Sequence, residues 1–192
     1  MKNSINIGLV ALAISSFATF AASAQEIEKI EIKTVYPTRF SVGVDAGLAS
    51  GRLNTNYNWS LGGSIQADIP LSSNSLFATL NAGYTTVFAD KNLSPAPEDI
   101  NLIPVKAGLK YFLINDIYVQ GEAGVSFILN KKDVGYSNSA SFLYAPQVGI
   151  LIPVGEKNRI DAGVRYESNT RFTQSGSSGN IFALRVAYAF GF

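Results

Sequence analysis

Large apolar residues return at every second position in eight separate segments, and that periodicity limits the chain to strands before anything else about it is considered. The last segment shows it best. In Asn180 to Phe192, NIFALRVAYAFGF, the residues Phe182, Leu184, Val186, Tyr188 and Phe190 form one face, while Ala183, Arg185, Ala187 and Ala189 form the other. The same alternation runs through Arg39 to Ala49, Trp59 to Ile69, Leu76 to Phe88, Ile103 to Leu113, Ile117 to Leu129, Ser141 to Ile152 and Arg159 to Ser168. Each segment is about the 9 to 11 residues that a tilted strand needs to cross a bilayer.

The connections alternate too. Long polar stretches follow strands one, three, five and seven: Ser50 to Asn58, Ala89 to Leu102, Asn130 to Ala140 and Asn169 to Gly179. Short turns follow strands two, four and six: Pro70 to Ser75, the pair Asn115-Asp116, and Pro153 to Asn158. Asn-Asp tolerates the positive φ of a tight hairpin. The expected fold is therefore all-β: an eight-stranded, antiparallel, up-and-down transmembrane β-barrel spanning 39–192, with short turns at one end and long loops at the other.

The two faces say what surrounds the barrel. One carries Val42, Val44, Leu48, Leu61, Ile65, Leu80, Val105, Leu109, Val119, Val125, Val148, Ile150, Val164 and Val186, with no charged residue in any strand. The other carries Arg39, Asp45, Asp68, Lys106, Lys110, Glu122, Asp161, Arg165, Glu167 and Arg185, interspersed with glycines that leave room in a narrow lumen. A Lys or Arg on a lipid-facing position at mid-bilayer would cost roughly 2 to 4 kcal/mol, so the charged face is expected to point inward. Outward aromatics gather near the loops (Trp59, Phe88, Phe127, Phe142, Tyr144, Tyr166, Phe182) and near the turns (Phe40, Tyr111, Phe190, Phe192), as two interfacial girdles should. Pro146 lies inside strand six and cannot donate to a ladder, which predicts a bulge there.

Ahead of the barrel, residues 1–24 read as a cleavable signal peptide. Lys2 gives a positive start, Ile5 to Phe20 is apolar, and Ala22-Ser23-Ala24 offers a small-x-small cleavage site. The apolar run is shorter than the ~20 residues of a spanning helix, which disfavours the alternative of an uncleaved anchor. Residues 25–38 read as an N-terminal arm that Pro37 sets apart from the barrel.

The signal peptide, the eight amphipathic strands, the alternation of short turns and long loops, and the terminal aromatic together resemble the small eight-stranded outer-membrane barrels of the OmpA membrane-domain and OmpX type. The resemblance covers Arg39 to Phe192. It implies a Gram-negative outer-membrane location with both termini periplasmic, contact with outer-membrane lipid and lipopolysaccharide, and insertion by the barrel-assembly machinery. Proteins of this class end in a signal read by that machinery, and here Arg185, Phe190 and Phe192 occupy its polar and aromatic positions, with Ala187 where glycine is usual.

Candidate chemistry is sparse. The inward Asp45, Lys106, Glu122, Arg165 and Arg185 are expected at similar depth, forming either a salt-bridged network that fills the lumen or a constriction that selects solutes. The chain has no histidine and no cysteine, which removes the usual general base, the thiolate nucleophile and the commonest transition-metal ligand. Serines abound, as in Ser175-Gly176-Ser177-Ser178, yet no imidazole can activate one, so no enzyme and no cofactor are expected. Asp90, Glu98 and Asp99 share a loop without calcium-loop spacing, and Gly62-Gly63 lies within a strand, where no phosphate cradle forms. A net charge of +1 gives no reason to expect a nucleic-acid partner. Stretches such as Leu53 to Asn58 and Asn130 to Asp133 suit a surface ligand as well as plain solvation. The reading is a monomeric structural or surface-interaction barrel, with a narrow pore for ions or small solutes as the alternative, and a secreted lipocalin-like soluble barrel as a third.

Overall fold

A computed structural model describes residues 37–73, 75–130, 134, 138–170 and 179–191. Eight antiparallel strands close into one barrel in sequence order. They are β1 (Arg39–Ser50), β2 (Tyr57–Ser73), β3 (Leu76–Ala89), β4 (Ile100–Ile114), β5 (Ile117–Ile128), β6 (Ala140–Pro153), β7 (Asn158–Asn169) and β8 (Gly179–Phe190). A short 3-10 helix, Gly51–Thr55, follows β1. The seam between first and last strands is continuous from Phe40–Phe190 to Ser50–Asn180, so no edge is left unpaired along it. Residues 1–36 and Phe192 lie outside the described residues, and with them the expected signal peptide, most of the arm and the final aromatic.

The sidedness follows the alternation. Val42, Val44, Leu80, Leu109 and Val186 are 45 to 56% exposed on the outer wall, whereas Lys106, Glu122, Arg165 and Arg185 are at most 4% exposed inside it. A soluble barrel would show the reverse, so the lipocalin-like alternative fails on this observation. The girdles are also physical rows. Near the loops the Trp59 and Phe88 rings stack at 4.1 Å, and Tyr166 lies 4.9 Å from Phe182 and 6.3 Å from Tyr144. Near the turns, Phe40 stacks on Phe190 at 6.1 Å.

Several strand ends run beyond the alternation. β2 continues to Ser73 through a register shift between Pro70 and Ser73, and β4 starts at Ile100, three residues before its expected start. The expected bulge at Pro146 does not form. β5 pairs with β6 without a shift, Gly121 facing Pro146, and β6 keeps one register with β7 from Tyr144–Ser168 to Gln147–Arg165. The missing N–H falls on the β7 side, where it removes two rungs and leaves the strand straight. Pro104 acts likewise in β4: it faces Ser126 on the β5 side, while the rungs between Ala82–Val105 and Thr85–Leu102 are absent on the β3 side.

Candidate functional site

The lumen is the only interior that an eight-stranded wall encloses, and inward residues from all eight strands fill it in four layers. At the loop end it is apolar. Tyr57, Val87, Ile100, Leu102, Ile128 and Ile181 form a buried cluster against which Leu53, from the 3-10 helix, packs. At the turn end Phe77, Phe112, Tyr118 and Leu151 form a second apolar cluster, with Phe112 in edge contact with both Phe77 and Tyr118. The Arg39 guanidinium lies 4.3 Å from the centre of the Phe77 ring, a cation–π contact that helps to close this end. Charge occupies the middle.

The charged middle is two layers. Nearer the turns, Lys110 bridges Asp68 at 2.7 Å and Asp161 at 3.3 Å, and Arg185 bridges Asp161 at 3.3 Å. The Tyr118 hydroxyl donates to Asp161 and accepts from Gln147 Nε2 at 2.6 Å, tying the layer to the aromatic floor. Arg185 also donates to Ser41 at 3.0 Å. Nearer the loops, Arg165 bridges Asp45 at 3.1 Å and donates through Nε to Gln147 at 2.9 Å, while Lys106 bridges Glu167 at 3.1 Å. Both cations reach Glu122 at 3.9 Å, and Thr79 donates to its other oxygen at 3.1 Å.

The side chains of the five residues expected at one depth divide between the layers, although Asp45 and Arg185 are direct cross-strand partners on the β1–β8 seam. Asp45, Lys106, Glu122 and Arg165 share the upper layer, and Arg185 belongs to the lower one. It reaches the others through Ser64, whose hydroxyl lies 3.4 Å from Arg185 Nε and donates to Asp45 at 2.7 Å, and through the chain Asp161–Tyr118–Gln147 to Arg165. Four further charges, Asp68, Lys110, Asp161 and Glu167, complete the network. Alternation of charge does not point to the two apolar ends, although Phe112, Tyr118 and Ile181 lie on the same parity as the charges of their strands and Phe77 on that of Asn81.

Glycine decides where the large lumen side chains fit. A Cβ at Gly149 would overlap the Tyr118 hydroxyl, and one at Gly163 would sit 2.7 Å from Gln147 Nε2, so these two glycines make the space in which Tyr118 and Gln147 meet Asp161 and Arg165. Of the residues expected to form an assembly signal, Arg185 points into the lumen, fully buried, and Phe190 points outward, 40% exposed. Ser175 to Ser178 and Lys131 to Asp133 lie outside the described residues.

Lys106, Lys110, Arg165 and Arg185 are each paired with a carboxylate, and these pairs lie between the two apolar clusters.

A family model for the outer membrane protein beta-barrel domain matches residues 8–190. No curated protein sequence matches the chain. Among solved structures, the outer membrane enzyme PagL is similar with a TM-score of 0.56 at 14% identity, over 79% of this chain and 99% of that one. Neisserial surface protein A is similar with a TM-score of 0.56 at 15% identity, over 81% of this chain and 97% of that one. At these identities the likeness concerns the fold.

Proposed function

Because the chain belongs to the outer membrane protein beta-barrel domain family, we propose that it is a sealed, non-enzymatic barrel that presents its four long connections at the cell surface and keeps both termini in the periplasm. What supports this reading most directly is the filling of the lumen by two paired ion layers between two apolar clusters. The role that remains is mechanical and adhesive. The wall anchors the protein in lipid through its aromatic girdles, and the loops meet lipopolysaccharide, lipid headgroups or a surface partner. Arg185, Phe190 and Phe192 act during insertion, as the polar and aromatic positions of the assembly signal.

A chain without histidine also lacks the usual base for hydrolysis, and the lumen carboxylates are held by cations rather than poised over an open cleft. Planar-bilayer recording on the refolded barrel tests the proposal. The expected trace is flat at all voltages that the bilayer survives. Steady single-channel steps whose size changes in Arg165→Ala or Glu122→Ala would establish the narrow-pore alternative instead.

A further inference from the structure

The upper ion layer borders a cavity of about 30 Å³ whose lining includes Asp45, Ser64, Asn81, Gly83, Lys106 and Arg165. Two of these side chains have a polar atom with no hydrogen-bond partner: Oδ1 of Asn81 and Nη2 of Arg165, each on a residue only 3% exposed. Glu122 Oε2, which faces that same Nη2 across 3.9 Å, has none either. A buried polar group left without a partner costs about 1 to 3 kcal/mol, more for a charged one, so two such atoms on residues that line the cavity, with a third beside one of them, call for a ligand.

The polarity of the three atoms identifies its class. Asn81 Oδ1 and Glu122 Oε2 need a donor, and Arg165 Nη2 needs an acceptor. A halide would serve only the arginine and would be repelled by Glu122; a metal or alkali cation would serve only the oxygens and would sit against Lys106 and Arg165. Water both donates and accepts. A cavity needs about 10 to 15 Å³ of such volume for each water, so this one takes about two. We infer that the upper layer is a buried hydration site, in which about two water molecules link Asn81 to Arg165 and extend the Arg165–Glu122 pair. The glycine at position 83 and the alanine at 183 leave the space, and Ser64 and Asp45 on its border give the waters further partners.

Crystallography of the refolded full-length barrel at high resolution tests this directly. The expected result is water-sized density about 2.7 to 3.2 Å from Asn81 Oδ1 and Arg165. No density, or density with the scattering and coordination of an ion, overturns the inference. Water relaxation dispersion on the barrel in lipid nanodiscs gives an independent reading. Filling the cavity through Ala183→Val should remove about two long-lived waters from the dispersion amplitude. An amplitude unchanged in a variant that still folds, judged by its heat-modifiable gel mobility, also overturns it. Should Ala183→Val fail to fold, the density in the parent protein decides.

Discussion

The two ion layers use the same residue types at neighbouring depths and are packed in opposite ways. In the lower one, Asp68, Lys110, Asp161 and Arg185 meet at 2.7 to 3.3 Å, and none of their buried side-chain atoms lacks a partner. In the upper one, both contacts to Glu122 stretch to 3.9 Å, and Glu122 and Arg165 each keep an unpaired atom. Neighbour size explains the contrast. Below, the charges stand among Tyr118, Gln66 and Gln120, which fill the lumen and donate or accept. Above, Gly83 and Ala183 border the ions and leave a void. A tight layer fixes the barrel's interior, whereas a loose one must be completed by solvent.

The largest effect should come from breaking the tight layer. Asp161→Ala leaves Lys110 and Arg185 buried with one fewer counter-charge and deprives Tyr118 of its acceptor. The expected loss is about 3 to 5 kcal/mol, read as a lower urea midpoint in lipid vesicles. A loss near zero would mean that water reaches this layer as it does the upper one. Gly149→Ala comes next. Its new methyl would drive into the Tyr118 hydroxyl, and overpacking of this kind costs about 1 to 3 kcal/mol. Combining it with Tyr118→Val should recover part of that loss, which a backbone effect at position 149 would not allow.

The upper layer should yield less. Glu122→Gln keeps an acceptor for Thr79 and removes a carboxylate whose two cations stand at 3.9 Å and have closer partners in Asp45 and Glu167. About 1 to 2 kcal/mol is expected, below the Asp161→Ala value in the same urea titration. Equal losses would erase the distinction between the layers.

Much of this was legible in the sequence, because in lipid one rule does most of the sorting. Strand after strand, the residue next to a charge points to the membrane, so Val44 beside Asp45 and Leu109 beside Lys110 fix sidedness without any structure. What alternation does not carry is depth. It places Arg185 and Asp45 inside but says nothing of which way each side chain leans along the lumen: the two are direct cross-strand partners on the β1–β8 seam, yet one reaches Asp161 and the other Arg165. The apolar ends escaped for a different reason. Ile181 and Phe112 look like ordinary strand residues until closure brings them against inward residues of other strands. The effect of Pro146 needed the hydrogen-bond phase of its strand, since only the phase tells which neighbour loses a donor.

The smallest expected effect lies outside the wall and sharpens the contrast between buried and solvated charge. Asp99, in the connection before β4, accepts a hydrogen bond from the Ala89 N–H at 2.9 Å and pairs with Lys91 at 3.0 Å. The backbone hydrogen bond from Ala89 is the largest cause, and together with Lys91 it outweighs the opposing effect of burial and holds the carboxyl below the ordinary carboxylate range. A lowered folded-state pKa means that the carboxylate's contribution is complete above the unfolded value of about 4 and is lost as pH falls through the folded value. Amide protection of Ala89 should therefore stay level from neutral pH down to about pH 4 and fall only below it. In Asp99→Asn the fall should vanish, while the urea midpoint of the barrel moves little, because a solvated pair contributes about 0 to 1 kcal/mol. A carboxyl resonance of Asp99 that titrates at or above the ordinary value would show that the Ala89 hydrogen bond does not form in the membrane-inserted barrel.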